Sequence, residues 1–169
     1  MSRFGCGRSW VAWALALGLS ACGTWQSQPV SSPQTGVSGV THALSPQKRH
    51  DVVLQAMAML DRNYSYGGKK VHTGFDCSGL VSFVYQESAG VRITGSAADM
   101  ARQTRAIDAA QASPGDLVFF NTLGSSFSHV GIYIGDGKFI HAENEKTGVK
   151  TSSMKASYWA RRFEGFRAL

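Results

Sequence analysis

The hydrophobic pattern of this chain changes its period once, at Pro114-Gly115. Before this point, apolar residues recur at every third or fourth position, which is typical of helices. After it, short segments rich in Val, Ile, Phe and Tyr are separated by Gly, Asp, Ser and Asn, which indicates antiparallel strands. The predicted strands cover residues 116–121, 128–134, 138–143 and 149–152. Helices followed by a run of strands predict an α+β domain, with the helices packed on one face of the sheet.

Three helices are predicted before the strands, each from a start signal. Ser45-Pro46 supplies a cap and a proline at the first helical position. A second helix is expected from Cys77 onward, because the apolar residues that follow recur at helical spacing. The third is predicted over residues 97–106, where Ser96 and Asp99 form a capping-box pattern.

The first 21 residues have the order of a secretory signal: basic residues, an apolar run too short to span a bilayer, and small residues. Leu19-Ser20-Ala21-Cys22 resembles the bacterial lipoprotein signal, in which the cysteine is lipidated and becomes the mature N-terminus. Acyl chains on Cys22 would then anchor the protein to a membrane. An ordinary signal peptide with a chance cysteine is the alternative.

Residues 22–46 are predicted to be the lipidated cysteine and a flexible tether. From Gly23 to Pro46 the chain is rich in Ser, Gln, Thr, Gly and Pro and contains no Asp, Glu, Lys or Arg. The remaining residues, 47–169, are of a length that fits one compact domain. We expect this domain to be a monomer.

The charge balance gives little reason to expect a nucleic-acid partner. Without Arg3 and Arg8 the 17 basic residues become 15 against 11 acidic ones, a balance of about +4. The basic residues are scattered rather than clustered, and the protein is predicted to be exported. A solvated basic surface explains this composition.

Export leaves Cys77 as the one unpaired thiol of the mature chain, because Cys6 leaves with the signal and Cys22 carries lipid. An unpaired cysteine in an oxidising compartment favours a catalytic thiol over a structural one. A position at a helix N-terminus, with an imidazolium nearby, is expected to lower the pKa of the Cys77 thiol.

His129 and His141 lie on consecutive predicted strands of one hairpin. Their side chains can meet only if the loop has an odd length, since a shift of one residue moves a side chain to the other face. We predict a three-residue loop, Gly135-Asp136-Gly137, with Gly137 left-handed. This register places His141 opposite Gly131 and diagonal to His129.

These residues suggest a nucleophilic mechanism. His129 would take the proton of the Cys77 thiol and return it to the leaving amine, while His141 would orient the His129 ring. The backbone N–H of Cys77 is the predicted donor to the oxyanion.

Four segments resemble, in order and spacing, the successive signatures of the NlpC family of cell-wall peptidases. They are Tyr64-Ser65-Tyr66-Gly67-Gly68, Phe75-Asp76-Cys77-Ser78-Gly79-Leu80-Val81, Gly115-Asp116-Leu117-Val118-Phe119-Phe120 and His129-Val130-Gly131-Ile132-Tyr133-Ile134-Gly135. The resemblance implies a papain-like fold and a cysteine peptidase that cuts the stem peptides of peptidoglycan without a cofactor. The single domain after a lipoprotein signal looks most like the Spr-type members, which cut D-alanyl cross-links.

By position, Cys77, His129 and His141 match the family triad, and Tyr64 matches a tyrosine near the oxyanion. Asp76 and Ser78 match positions that contact substrate in some relatives. Asp76 could instead only cap the helix, and Ser78 could only fill its first turn. Tyr66 is assigned to the core.

One departure concerns Ile93-Thr94-Gly95-Ser96, where relatives often have Leu-Pro-Arg followed by Thr or Ser. The missing arginine puts in doubt a transfer of substrate preference, because arginine pairs well with carboxylates. Gly23 after the lipidated cysteine, by analogy, suggests the outer membrane, with the domain facing the periplasm.

Three other functions stay open. One cysteine and two histidines could hold zinc, although no Cys-x-x-Cys or His-Glu-x-x-His motif supports a metal site. The domain could be a non-catalytic peptidoglycan-binding module, because fold alone does not establish activity. It could also be an acyltransferase or amidase on the same fold.

Overall fold

The computed structural model describes residues 44–169. The predicted signal, the lipidation site Cys22 and nearly all of the tether therefore lie outside the described residues. The helices are α1 (Pro46–Ala58), α2 (Cys77–Ala89), α3 (Ala97–Gln103) and α4 (Ser157–Ala160). The strands are β1 (Lys69–Lys70), β2 (Gly74–Phe75), β3 (Arg105–Ile107), β4 (Leu117–Phe120), β5 (His129–Gly135), β6 (Lys138–Asn144), β7 (Gly148–Ser153) and β8 (Phe163–Ala168).

Six strands form one antiparallel sheet in the order β3-β8-β4-β5-β6-β7. The short strands β1 and β2 pair separately, just before α2. Helices followed by an antiparallel sheet confirm the predicted α+β class. Within residues 44–169, no helix has the length and apolar character that crossing a bilayer requires.

The predicted helix starts are confirmed by their caps. The Ser45 hydroxyl accepts a hydrogen bond from the N–H of Lys48 at 3.3 Å, and Ser96 and Asp99 form the capping box. The third helix ends at Gln103 rather than near residue 106, because residues 105–107 leave the helix and pair with β8. Pairing of two segments so far apart in sequence has no local signal, which is why β3 and β8 were not predicted.

The two faces of the sheet carry different apolar layers. The face toward α1, α2 and α3 carries the larger core, in which Leu80, Ile132 and Ile140 are fully buried. The other face carries an aromatic cluster of Val118, Phe120, Phe139, Trp159 and Phe166. The sheet is therefore buried on both sides near its centre, and the second layer closes over the histidine-bearing strands.

A buried polar junction fixes the helices to the segment that enters β4. Nη1 of Arg49, on α1, lies 2.5 Å from Oδ1 of Asp116, whose side chain is 2% exposed. The other carboxylate oxygen of Asp116 accepts the N–H of Ser113 at 2.8 Å. The Tyr85 hydroxyl, from α2, donates to the Gly115 carbonyl at 2.5 Å. Each buried polar group here has a partner, as burial requires.

The hairpin between β5 and β6 has the predicted register but not the predicted loop. Asp136 and Gly137 form a two-residue turn, both with positive φ (52° and 67°), and Gly135 pairs with Lys138. A bulge between Tyr133 and Gly135 then shifts the pairing by one residue. The three-residue loop was therefore wrong, and the bulge restores the odd register that the prediction needed.

Candidate active site

The hairpin register brings two imidazole rings into contact. Nε2 of His129 lies 2.8 Å from Nδ1 of His141, and the ring planes are nearly perpendicular. His141 is fully buried, and His129 is 7% exposed. Ile132 pairs with Ile140, so Gly131 and His141 are the next residues opposite each other, and a Cβ atom on Gly131 would lie only 3.4 Å from that of His141. The prediction that the two rings share a face is confirmed.

His141 has a second partner that the sequence did not indicate. Its Nε2 lies 2.9 Å from the hydroxyl oxygen of Ser152, on β7. His141 pairs with Lys150 in the ladder, so Ser152 is its diagonal neighbour on the same face. The alternation of β7 could have revealed this position only once the β6–β7 register was known.

Aromatic side chains surround the two histidines. The Trp159 ring lies 5.4 Å from that of His129 and 4.8 Å from that of His141, and Phe139 lies 4.7 Å from His141. Trp159 is itself 5% exposed. The contact between the imidazoles is thus sealed from water on the side of the aromatic cluster.

Cys77 is the first residue of α2, and the preceding residue holds that helix start in place. Oδ1 of Asp76 accepts the N–H of Gly79 at 2.6 Å, and its Oδ2 accepts the N–H of Gly67 at 3.0 Å. The Ser78 hydroxyl donates to Oδ1 of Asp76 at 3.0 Å. Asp76 therefore caps α2, and because Asp76 and Ser78 also line the cleft that Cys77 enters, their contact with substrate stays a prediction.

Cys77 and His129 line the same open cleft, with a volume of about 640 Å³. Tyr64 lines it as well, and loop residues 122–128 form the opposite wall. A second hollow of about 490 Å³ adjoins His129 on the side of Trp159. His129 therefore borders both hollows, whereas Cys77 borders the first.

Burial is the largest influence on the pKa of the Cys77 thiol. It raises the pKa of Cys77 to about 11, although the backbone N–H groups of Val130, Ser78 and Cys77 itself act in the opposite direction. The negative charge of Asp76 adds to the increase. The expectation of a lowered pKa was wrong, because desolvation of the half-buried thiol outweighs the effect of the helix N-terminus.

Both imidazoles are neutral near pH 7. Burial lowers the pKa of His129 to about 4, against the nearby carboxylates of Glu143 and Asp76, which favour the charged form. Burial is the main cause that lowers the pKa of His141 to about 2, and the charges of His129 and Lys150 lower it further. These pKa shifts favour a neutral thiol beside two neutral imidazoles rather than an ion pair.

Other predicted residues divide between the cleft and the surface. The pKa of Tyr64 is raised by burial and then by the charges of Cys77 and Asp76, as fits a tyrosine beside them. Tyr66 is 91% exposed, so its assignment to the core was wrong.

Residues 95–98 form part of the cleft wall. Gly95 is the position at which relatives often have an arginine. Gly95 has a φ of 100°, and a Cβ atom there would lie 2.6 Å from that of Asp99. The structure therefore admits no larger side chain at this position without a rearrangement of the helix cap. Within residues 44–169, no group of three or more His, Cys, Asp or Glu side chains could hold a metal ion.

Comparison with known proteins places this geometry in a family. The NlpC/P60 family profile matches residues 61–168. The chain is 34% identical over 142 residues to the murein DD-endopeptidase MepH of Escherichia coli. The aligned region covers 82% of this chain and 52% of that protein. The chain thus spans about half the length of this relative.

Solved structures agree on the fold. A lipoprotein-like NLP/P60 protein from Staphylococcus aureus superposes with a TM-score of 0.66 at 29% identity, over 77% of this chain and 44% of that one. RipD of Mycobacterium tuberculosis superposes with a TM-score of 0.61 at 20% identity, over 74% of this chain and 98% of that one. RipD is described as a non-catalytic NlpC/p60 protein adapted to peptidoglycan binding. At 20% identity this second likeness concerns the fold alone.

Proposed function

This chain belongs to the NlpC/P60 family, and we propose that it is a peptidoglycan endopeptidase that uses Cys77, His129 and His141. The observation that carries the proposal is the contact of 2.8 Å between the two imidazoles, beside a cleft that Cys77 and His129 both line. A thiol, a base and a group that orients the base are the parts that nucleophilic catalysis needs.

The proposal names Nδ1 of His129 as the base nitrogen. Nε2 of His129 is occupied by His141, so Nδ1 is the nitrogen left to accept the thiol proton. Because thiol and base are both neutral at rest, proton transfer accompanies the attack of Sγ on the carbonyl carbon of the scissile peptide bond. The oxyanion that forms accepts a hydrogen bond from the backbone N–H of Cys77, with Tyr64 nearby.

Collapse of this intermediate breaks the C–N bond. The imidazolium of His129 gives its proton to the leaving amine, and a thioester remains on Cys77. His129 then takes a proton from water as the hydroxide attacks the thioester. The C–S bond breaks and the imidazolium returns that proton to the departing sulfur, so the carboxylic acid and the neutral thiol are released. Burial of both imidazoles disfavours a long-lived imidazolium, which favours rapid return of the proton.

The substrate class is proposed to be the stem peptides or D-alanyl cross-links of the bacterial cell wall. The E. coli relative is a murein DD-endopeptidase, and the family profile covers most of the described domain. Such a substrate fits the proposed location: an exported lipoprotein, lipidated at Cys22 and held by a tether at the outer membrane, with the domain 47–169 facing the periplasm.

Digestion of purified cross-linked peptidoglycan tests the proposal. We would compare the full-length protein with its Cys77→Ala and Cys77→Ser variants and identify the released fragments by mass spectrometry. Release by the wild type alone would support a cysteine endopeptidase, and the fragment masses would name the bond.

The alternative is a peptidoglycan-binding protein of the same fold. Sedimentation of the protein with insoluble peptidoglycan separates the two functions, because a binding protein keeps its affinity in both Cys77 variants and releases nothing. Release of fragments by the Cys77→Ala variant would overturn the role of the thiol.

A further inference from the structure

Ser152, itself half-buried, lies at the end of the hydrogen-bonded histidine pair that does not line the cleft. Its hydroxyl oxygen is 2.9 Å from Nε2 of His141, whose ring is fully buried. The other ring nitrogen of His141 is used by His129. His141 therefore has one partner on each nitrogen, and the two partners together determine which nitrogen carries its proton.

The proposed function requires one of the two possible proton arrangements. For Nδ1 of His129 to accept the thiol proton, the neutral His129 ring must carry its proton on Nε2. That N–H then donates to Nδ1 of His141, so His141 must be protonated on Nε2 and donate to Ser152. In the opposite arrangement the serine hydroxyl donates, every proton shifts, and His129 carries its proton on Nδ1, where it blocks the base.

We propose that Ser152 is a positioning residue that holds His141 in the Nε2–H form, and through it keeps Nδ1 of His129 free to act as the base. This inference rests on the proposed function for its catalytic consequence, but the tautomers themselves can be measured without any substrate. A hydroxyl can donate as well as accept, but the half-buried Ser152 can donate its own proton to water while its oxygen accepts the Nε2–H of His141, for which the described residues offer no other acceptor.

The surroundings of the pair leave Ser152 as the polar partner of the far ring nitrogen of His141. The residue opposite His141 in the ladder is Lys150, whose ammonium group lies 3.5 Å from the Glu143 carboxylate. Neither of these charged groups is hydrogen-bonded to the His141 ring, and Trp159 and Phe139 cover it. Among the described residues, the Ser152 hydroxyl is thus the polar group that meets Nε2 of His141.

The test is nitrogen-15 NMR of the imidazole rings in the full-length protein, in the wild type and in Ser152→Ala and Ser152→Thr variants. We expect the wild type to show a protonated Nε2 and a bare Nδ1 on both His129 and His141. Ser152→Ala should give a mixture of tautomers on both rings and lower kcat for peptidoglycan hydrolysis about tenfold, a loss typical of removing an orienting hydrogen bond. Ser152→Thr keeps a hydroxyl and should restore both properties.

Thr151→Ala is the matched control, because Thr151 is exposed on the same strand and its side chain points to the other face. It should leave tautomers and kcat unchanged. Protonation of His129 on Nδ1 in the wild type, or unchanged tautomers in a folded Ser152→Ala variant, would overturn the inference. If the wild type releases no peptidoglycan fragment, the proposed function fails, while the NMR spectra still decide the role of Ser152.

Discussion

The carbonyl oxygen of Gly68 lies so close to Gly79 that a Cβ atom on Gly79 would be 1.9 Å away from it. Gly79 is in the first turn of α2, two residues after Cys77, and Gly68 is in the loop that forms one side of the cleft. The same Gly68 carbonyl accepts the N–H of Asp76 at 3.1 Å. The absence of a side chain at Gly79 therefore brings the loop against the helix start that carries the thiol.

Gly79→Ala tests this contact against helix propensity. Alanine in a helix is usually more stable than glycine by about 0.5–1 kcal/mol, whereas forcing a methyl group into a packed backbone costs about 1–3 kcal/mol. The steric cost is larger, so we expect a lower free energy of unfolding in denaturant titrations. Gln86→Ala, at an exposed position of α2, should change stability by less than about 0.5 kcal/mol. A more stable Gly79→Ala variant would contradict the contact.

The thiol of Cys77 should remain protonated at neutral pH. Burial raises its pKa to about 11, and the pKa of His129 is lowered to about 4. Thiolate absorbance in the ultraviolet, taken as the difference between wild type and Cys77→Ser, should be absent at pH 7 and rise as the pH approaches 11. A thiolate signal already present at pH 7 would mean that the site rests as an ion pair instead.

Acid should destabilise the protein through its buried histidines. Their folded-state pKa values, about 4 for His129 and about 2 for His141, lie below the usual value of 6.5. The unfolded chain therefore binds more protons, and stability falls as the pH drops from about 6.5 toward 4, by about 1.4 kcal/mol per pH unit for each histidine. Denaturant titrations at several pH values measure this slope. In His141→Asn, the slope should shrink by the contribution of one proton.

Trp159 should help to keep the pKa of His129 low by excluding water from its ring. Replacement by leucine keeps an apolar residue but opens the layer over both imidazoles, so the pKa of His129 should rise toward its usual value. Titration of the imidazole protons by NMR measures this shift. Leu54→Ala is the control, because Leu54 is 51% exposed on α1 and should leave the pKa of His129 unaffected. An unchanged pKa in Trp159→Leu would show that other groups exclude the water.

Asp76→Asn separates the capping role of Asp76 from contact with substrate. Asparagine is also a good N-cap residue, so we expect most stability and most hydrolysis to be retained, whereas Asp76→Ala should lose about 1–2 kcal/mol of stability. Thermal unfolding and peptidoglycan digestion give the two measurements. A stable but inactive Asp76→Asn variant would instead assign the carboxylate to substrate binding.

The sequence by itself determined the features that depend on neighbouring residues. The start of each helix before the sheet could be predicted because the cap and the first turn are only three residues apart, as at Ser96 and Asp99. The strands of the hairpin followed from local composition and turn residues. The assignment of Cys77 to a helix start came from the same local patterns. The odd register that brings His129 to His141 was inferred from the requirement that the two rings meet, and the bulge that produces it was not predicted.

Only the tertiary structure decided the features that depend on distant segments. Pairing of β3 with β8, the contact of Ser152 with His141, and the cover of Trp159 over both imidazoles have no signal in the local pattern. The pKa of Cys77 is the sharpest case. Its helix position alone predicts a lowered pKa, but the folded chain buries the thiol, and the desolvation energy of a buried charge outweighs the field of one helix end.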